Sequence, residues 1–348
     1  MQMDHWKLSI LKTSSILEEI INCLDKSIYK IVLIVDDDER LIGTITDGDI
    51  RRAIIAKRNM NSKAKEIMNN NPVFVVEDFD YDSSEKIMKS KNIQHLPIVD
   101  ENRRIIDLRT SFLISDKKIY ENPVFLLSGG LGERLRPLTD DKPKPLLDVG
   151  GKPILENIIE QFIGAGFYKF FLAIRYKGDM IVDHFGNGEK WGVEINYILE
   201  EEPLGTAGAL GLLPKNLSSL PLIVMNGDVL TKVNFQELLR QHNKQNCLAT
   251  VCVSEYSHQI PYGVVEIEGN FLRELTEKPF HQYFINAGIY VIEPSLLKKI
   301  DGNSLLNMTT LINNELQNNE KINIFPIHEY WLDIGMKDDY MKAKKESG

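Results

Sequence analysis

A glycine-rich segment with four cationic side chains is the part of this sequence with the clearest chemical potential. The apolar run Val124–Leu127 leads into Ser-Gly-Gly-Leu-Gly-Glu-Arg-Leu-Arg-Pro-Leu-Thr and, three residues later, into Pro-Lys-Pro-Leu. Glycines after a strand let backbone N–H groups approach a phosphate closely, and cations neutralise its charge. The cations fall within eleven positions: Arg134, Arg136, Lys142 and Lys144. A solvated basic loop is the simpler explanation of such a cluster, but the strand and glycines before it favour a phosphate site.

Two other phosphate-binding loops do not fit this segment. A Walker loop ends in Gly-Lys-Ser/Thr, whereas Gly151-Lys152 is followed by Pro153. The dinucleotide fingerprint needs a third glycine where Leu135 stands. The segment therefore indicates a different kind of phosphate site.

Two aspartates stand between apolar neighbours far apart in the chain. Asp228 follows the apolar run Leu222–Met225, and Asp333 lies in the segment Trp331–Gly335. Each one taken alone could cap a turn. An aspartate at the carboxyl end of a strand also lies where α/β sheets bind ligands. If the two carboxylates converge, they form a site for Mg²⁺, which prefers oxygen ligands and substrate phosphates.

Composition excludes several classes of protein. The 348 residues carry 41 Lys and Arg against 50 Asp and Glu, a net charge of −9, so generic binding to nucleic acid or to an anionic membrane is not expected. No apolar run reaches the roughly 18 residues that span a bilayer, and the N-terminus does not resemble a signal peptide. The three cysteines, Cys23, Cys247 and Cys252, have no metal-type spacing. We expect a cytoplasmic protein.

The elements that must position these side chains alternate between strands and helices. This alternation predicts a doubly wound α/β sheet over residues 122–348, after a short linker at 120–123. Besides Val124–Leu127, the predicted strands are Lys169–Ile174, Val193–Leu199, Leu222–Met225, Leu248–Val253, Gly263–Ile267 and Ala287–Ile292.

The N-terminal third contains an internal repeat. Ile34–Thr46 is similar to Ile98–Thr110 at an offset of 64 residues, and each copy reads as a strand, an acidic turn and a second strand after an upstream helix. We therefore predict an α+β module over residues 1–119, with copies at 6–60 and 64–118.

The glycine-rich string resembles the sugar-1-phosphate nucleotidylyltransferase family, and the resemblance covers about 225 residues, from Pro123 to near the C-terminus. It implies a mixed α/β nucleotidyltransferase domain that needs Mg²⁺. Asp228 and Asp333 match the family's metal ligands, and Arg134, Lys144 and Asp228 match its catalytic residues. The nucleotide-binding residues that it implies are Leu127, Gly129, Gly130, Glu200, Gly205 and Thr206. The sugar-phosphate residues that it implies are Gly263, Glu277, Lys278 and Asn286.

Three consecutive glutamates after the predicted strand Val193–Leu199 bear on the choice of base. A carboxylate in Glu200-Glu201-Glu202 can accept hydrogen bonds from N1–H and the 2-amino group of guanine, which favours GTP. The segment Leu-Gly-Thr-Ala-Gly-Ala-Leu is similar to that of mannose-1-phosphate guanylyltransferases.

The repeat resembles a tandem pair of CBS domains. In that family a Gly-x-x-Thr-x-x-Asp pattern binds an adenosine ribose, and Gly43, Thr46 and Asp49 match it. The second copy keeps only Thr110, since Asp107 replaces the glycine and Leu113 the aspartate. The pair is expected to bind an adenine nucleotide or only to dimerise the enzyme, and we expect a dimer or tetramer.

The expected reaction joins an NTP and a sugar 1-phosphate to form an NDP-sugar and pyrophosphate, without a Ser or Cys nucleophile. Fusion to the CBS pair resembles guanylyltransferases of the legionaminic-acid pathway, which makes glucosamine 1-phosphate the specific expectation. Mannose- or heptose-1-phosphate guanylyltransferase activity is an alternative. An alternative of another class is a nucleotide-sensing regulator without turnover.

Overall fold

The computed structural model describes residues 5–27, 29–77, 81–91, 93–110, 119–215, 217 and 219–346. The chain divides into two compact units, Met1–Lys118 and Ile119–Gly348. The prediction about Leu113 lies outside the described residues. None of the helices within them is both long and apolar enough to cross a membrane.

The first unit repeats one small architecture. Its strands are β1 (Ile10–Lys12), β2 (Ile31–Val35), β3 (Leu41–Thr46), β4 (Val75–Val76), β5 (His95–Val99) and β6 (Ile105–Thr110). Its α-helices are α1 (Leu17–Lys26), α2 (Asp47–Ile55), α3 (Ala64–Ile67) and α4 (Tyr81–Lys91). β1-β2-β3 and β4-β5-β6 form two sheets of the same design, in which the first pair of strands is parallel and the second antiparallel.

The two halves of this unit share a buried core. Leu33 and Leu41 from the first sheet pack with Val99 and Leu108 from the second, and Trp6 completes the cluster. The Leu41 amide donates to the Arg103 carbonyl at 2.8 Å. The repeat therefore folds as one body, because each small sheet covers apolar surface of the other.

The second unit is built on a larger sheet. Its strands are β7 (Val124–Leu127), β8 (Asp148–Val149), β9 (Lys152–Pro153), β10 (Lys169–Ile174), β11 (Glu194–Leu199), β12 (Leu222–Asn226), β13 (Val229–Thr231), β14 (Ala249–Gln259), β15 (Gly263–Glu268), β16 (Phe271–Glu277), β17 (Phe280–Ile292), β18 (Ile322–Ile327) and β19 (Trp331–Asp333). Its α-helices are α5 (Ile154–Gly164), α6 (Gly178–Phe185), α7 (Gly205–Gly208), α8 (Phe235–Lys244), α9 (Pro294–Leu297), α10 (Met308–Gln317) and α11 (Lys337–Glu346).

The main sheet has seven strands in the order β11-β10-β7-β12-β17-β14-β18. β11, β10, β7 and β12 run parallel, and β17 is antiparallel to both of its neighbours. Alternate residues point to opposite faces: Val124 and Leu126 join the core under α5, α6 and α8, and Phe125 joins the core under α9 and α10. Two covered faces explain why the strands read as continuous apolar runs, and they make this a doubly wound mixed sheet.

β14 and β17 extend well beyond the sheet core. Their distal parts pair from Ser254–Ile285 to Gln259–Phe280, and with the β15–β16 hairpin they form an arm, residues 254–285. The sequence predicted strands that stop at Val253 and start at Ala287. The arm's side chains are mostly exposed, with Phe271 81% and Ile267 71% accessible, so no buried apolar run marks these strand segments.

Candidate active site

The parallel strands bring chemically active residues to one edge of the main sheet. β7, β10, β11 and β12 end together, and the next residues of β7 and β12, Ser128 and Gly227, lie in close contact. A β-carbon added to Gly227 would lie 2.6 Å from the Ser128 hydroxyl and 2.7 Å from the Leu127 carbonyl, so only glycine fits there. This packing sets Asp228 directly beyond the end of β7.

Asp228 and Asp333 meet although 105 positions separate them in the chain. β13 pairs with β19 so that Val229 faces Asp333, and the Ile334 amide donates to the Asp228 carbonyl at 3.0 Å. Lys144 donates a short hydrogen bond to Oδ2 of Asp228. Its side chain is 11% exposed and that of Asp228 29% exposed. The ion pair is therefore partly shielded from water.

The other oxygen of Asp228 is buried and has no hydrogen-bond partner among the described residues. Asp333 lies beside it, exposed at the mouth of the site. Partial burial raises the pKa of Asp333, the Asp228 carboxylate raises it further, and Lys144 and Arg134 lower it. Two neighbouring carboxylates with an unsatisfied oxygen make up a donor set suited to a hard divalent cation.

Arg134 approaches the same place from the glycine-rich segment. A β-carbon added to Gly335 would lie 3.7 Å from its Nη1. Gly132 adopts a left-handed φ of 65° and accepts a hydrogen bond from the Thr139 hydroxyl at 2.9 Å, which closes the loop around Arg134. The structure thus brings Arg134, Lys144, Asp228 and Asp333 together.

The predicted base residues form a second group on the same edge. Glu200 follows β11 and is 8% exposed, and its Oε2 accepts from the Leu204 amide at 3.2 Å. Its Oε1 would lie 3.0 Å from a β-carbon on Gly129, whereas Gly130 has open space around it. Burial raises the pKa of Glu200. The carboxylate and the glycine loop are therefore neighbours.

Gly205 and Thr206 are engaged with a later segment of the chain. Gly205 has a φ of 76°, and a β-carbon there would lie 2.7 Å from the Leu306 carbonyl. The Thr206 hydroxyl accepts from the Met308 amide at 2.8 Å, at the start of α10. In the structure both residues therefore contact the segment that leads into α10.

The predicted sugar residues lie on or near the arm. Gly263 pairs with Glu277 across β15 and β16, and Lys278 Nζ lies 3.9 Å from Oε1 of Glu277. Asn286 instead turns inward, where its side chain donates to the Tyr290 hydroxyl at 2.6 Å and accepts from the Gly288 amide at 3.1 Å. Among the described residues, the structure records no hydrogen bond or ion pair that joins Glu277 or Lys278 to the two aspartates.

The predicted effector residues of the first unit bond to each other. The backbone amide and the hydroxyl of Thr46 both donate to Oδ2 of Asp49 at 2.8 Å, and Arg52 donates to Oδ1 at 2.6 Å. Gly43 packs against Met68, whose Sδ would lie 2.5 Å from an added β-carbon. Thr46 and Asp49 therefore cap α2 in this structure.

One charged side chain at the strand edge escaped the sequence analysis. Arg175 directly follows β10, and a β-carbon on Gly129 would lie 3.4 Å from its Cβ. Its position immediately after an apolar strand is the same signal that singled out Asp228.

Parallel strands that end together in carboxylates and cations are typical of α/β proteins that bind nucleotides at this edge. The chain belongs, more narrowly, to the nucleotidyl transferase family, whose model matches residues 124–347, and the CBS domain model matches residues 8–56 and 64–108. These matches confirm both resemblances drawn from the sequence, the fold class and the enzyme class.

Named relatives point in the same direction. The mannose-1-phosphate guanyltransferases of Yarrowia lipolytica and Pichia angusta are each 36% identical over 228 residues, 63% of this chain and 62% of theirs. The chain thus spans less than two thirds of the length of the curated relatives it matches. The crystal structure of HddC from Yersinia pseudotuberculosis complexed with GMP-PN has a TM-score of 0.52 and 25% identity, and the match covers 65% of this chain and 100% of that one.

Proposed function

We propose that the protein transfers a nucleotidyl group from an NTP, with GTP as the preferred one, to a sugar 1-phosphate and releases pyrophosphate. The observation that carries this proposal is the group of Arg134, Lys144, Asp228 and Asp333 beside the glycine-rich loop. In the reaction, an oxygen of the sugar phosphate attacks the α-phosphorus of the triphosphate. The bond from that phosphorus to the bridging oxygen breaks, and pyrophosphate leaves.

In this reaction the cationic residues of the chain would offset the negative charge of the two substrates. Two anionic substrates repel each other, so the reaction needs fixed positive charge at the point where they meet. Arg134 is exposed on the loop, where it can contact the triphosphate, and Lys144 is held in place by Asp228. Lys278 on the arm offers a further cation for the sugar phosphate. Positioning and electrostatics are sufficient in this scheme, and no covalent nucleophile takes part.

The two aspartates fit a divalent cation, and Mg²⁺ is the proposed one. The supporting observation is the buried Oδ1 of Asp228, which has no donor among the described residues, next to Asp333. When bound, the metal would draw charge from the triphosphate oxygens and orient them.

Three observations favour GTP as the nucleotide. Glu200 offers an acceptor suited to guanine, the curated relatives are named guanyltransferases, and the HddC structure holds GMP-PN. The names of those relatives favour mannose 1-phosphate as the acceptor. Glucosamine 1-phosphate, predicted from the fusion to the CBS pair, is the second candidate.

A pyrophosphate-release assay tests the proposal. The full chain is incubated with Mg²⁺, each common NTP and a panel of sugar 1-phosphates that includes mannose, glucosamine and heptose. We expect release with GTP and with one or two sugars, and none in EDTA. Asp183→Asn, an exposed aspartate on α6, serves as the matched control for Asp228→Asn. Nucleotide binding without release in any combination would favour the regulator hypothesis instead.

For the first unit we propose an adenine nucleotide as the ligand at Thr46 and Asp49. Calorimetric titration of the full chain with AMP, ADP and ATP should give binding that Asp49→Ala abolishes. If none binds and the chain is dimeric in light scattering, the pair serves assembly alone.

A further inference from the structure

Arg175 and Glu200 both lie next to Gly129 at the ligand edge of the sheet. Arg175 follows β10 and Glu200 follows β11, the neighbouring parallel strand. A β-carbon on Gly129 would lie 3.0 Å from Oε1 of Glu200, 3.4 Å from Cβ of Arg175 and 3.6 Å from its backbone nitrogen. A cation and a carboxylate therefore converge where the glycine loop leaves β7.

These two charges are close to each other but do not bond. The charge of Arg175 lowers the pKa of Glu200 against the larger effect of burial. No salt bridge or hydrogen bond of the Arg175 guanidinium is found within the described part of the chain, and Oε1 of Glu200 has no donor there either. An acceptor and a neighbouring donor group that have no protein partner among the described residues are both available to one ligand.

The backbone around Arg175 is fixed to the glycine-rich segment. The Tyr176 hydroxyl donates to the Thr139 carbonyl at 3.3 Å, and Lys177 donates to the Asp140 carbonyl. The Arg175 carbonyl accepts from the Gly178 amide at 3.2 Å. The two residues that follow Arg175 therefore tie this segment of the chain to the predicted phosphate loop.

Guanine is the base whose edges match this pair. Its N1–H and 2-amino donors suit one carboxylate, and its neighbouring O6 and N7 acceptors suit the two-pronged donor of a guanidinium. Adenine presents a donor at position 6, and uracil has neither a 2-amino group nor an N7. We propose that Arg175 is a specificity-determining residue that binds O6 and N7 of the guanine base, while Glu200 binds N1–H and the 2-amino group on its Watson–Crick edge. This inference rests on the proposed use of GTP.

Base analogues separate the two contacts. 7-Deaza-GTP lacks the N7 acceptor and ITP lacks the 2-amino donor. Steady-state kinetics of the full chain are measured with GTP and both analogues for the wild type, Arg175→Ala and Arg175→Lys, with Arg58→Ala, an exposed arginine of the first unit, as control. Thermal melts verify that each variant is folded.

We expect Arg175→Ala to raise KM for GTP about tenfold or more, with kcat within about twofold, as the loss of one bidentate contact implies. Arg175→Lys should recover only part of this loss because lysine lacks the planar fork. In the wild type, KM for 7-deaza-GTP should be several-fold higher than KM for GTP. In Arg175→Ala the two KM values should be equal. Replacing GTP with ITP should raise KM by the same factor in both proteins, since the proposed partner of the 2-amino group is Glu200.

Two results would overturn the inference: a 7-deaza penalty that persists undiminished in Arg175→Ala, or an unchanged KM for GTP in that variant. If Arg175 only orients Glu200, the ITP penalty changes in Arg175→Ala and the 7-deaza penalty does not. A wild type that turns over UTP or ATP but not GTP would reject the proposed nucleotide and this inference together. If no turnover is found, calorimetric binding of GTP and 7-deaza-GTP to the same variants gives the same comparison.

Discussion

Two aspartates, one in each unit, differ in how far the protein satisfies them. Asp49 accepts from the amide and hydroxyl of Thr46 and from Arg52, so both of its oxygens are occupied. Asp228 accepts from Lys144 at one oxygen, while the other is buried without a partner among the described residues. Both carboxylates follow a strand, yet one is satisfied by its own unit and the other is not.

The difference identifies where the protein needs a ligand. A buried oxygen without a donor costs on the order of 1–3 kcal/mol, so folds rarely leave one without a functional reason. The buried oxygen of Asp228 carries this cost, and it is available to bind a cation. Asp49 avoids the cost by capping α2, and a ribose must displace Thr46 or Arg52 to reach it. Arg52 is 71% exposed, so it is the contact that yields more easily.

The strongest test of this contrast is Asp228→Asn. The amide keeps the shape of the side chain but removes the charge that holds Lys144 and would bind Mg²⁺. We expect kcat for pyrophosphate release to fall on the order of 10³-fold, with a much smaller change in the Kd for sugar phosphate. Stopped-flow turnover and calorimetry measure the two quantities. Turnover at the wild-type rate would remove the metal assignment.

A second test concerns the first unit, where the imidazole of His95 is buried. His95 Nε2 donates to the Tyr29 carbonyl at 2.6 Å, and burial lowers the pKa of the imidazole to about 4. A lowered pKa means that the fold prefers neutral His95. Its contribution is therefore present above the ordinary pKa near 6.5 and is lost as pH falls through about 4.

We expect β2 and β5 to lose up to about 3 kcal/mol of protection over this pH window. Hydrogen exchange of their peptides, corrected for intrinsic rates, measures the loss in the full chain. His95→Gln retains a donor for Tyr29 without titrating and should flatten the dependence. If His95→Gln loses as much protection as the wild type when the pH falls, groups other than His95 cause the pH effect.

The main sheet was largely predictable because its strands are buried on both faces. The predicted strand at Lys169–Ile174 is observed at the same residues, and the one at Leu222–Met225 gains only Asn226. The sequence predicted only part of the arm. Its strand residues are mostly exposed, so they show no periodic pattern of apolar side chains. The T-x-x-D spacing of Thr46 and Asp49 is also typical of a capping box at the start of a helix. The resemblance to a ribose site led us to predict a ligand contact there and not the cap.

The candidate site was predictable residue by residue but not as a geometry. The apolar neighbours of Asp228 and Asp333 singled out each residue separately, and only the β13–β19 pairing brings them together. No spacing in the sequence encodes that long-range pairing. Nor could the sequence indicate that one oxygen of Asp228 is left without a partner among the described residues, since this depends on how distant segments of the chain pack around it.

A third test asks whether Lys278 on the arm is available to a ligand, as Asp228 is, or is occupied by protein partners, as Asp49 is. Lys278 is exposed and only loosely paired with Glu277 at 3.9 Å, so it too is available to a ligand. We expect Lys278→Ala to raise KM for the sugar phosphate about tenfold to a hundredfold, with KM for GTP nearly unchanged. Lys215→Ala, a surface lysine away from the arm, is the control. Equal effects on both substrates would move Lys278 out of the sugar site.

The smallest expected effect comes from the satisfied aspartate. Asp49→Ala removes the acceptor that binds Thr46, and loss of such a cap costs about 1 kcal/mol. Because Asp49 is occupied within its own unit, pyrophosphate release should stay within about twofold of wild type. Hydrogen exchange at α2 measures the first effect and the kinetic assay the second. Asp49→Asn keeps an acceptor for the cap while losing the charge, so it should retain most of the protection. If Asp49→Ala lowered turnover as strongly as Asp228→Asn, the contrast between a carboxylate with protein partners on both oxygens and one with an oxygen left free by the described residues would be wrong, and the first unit would have to control the reaction directly.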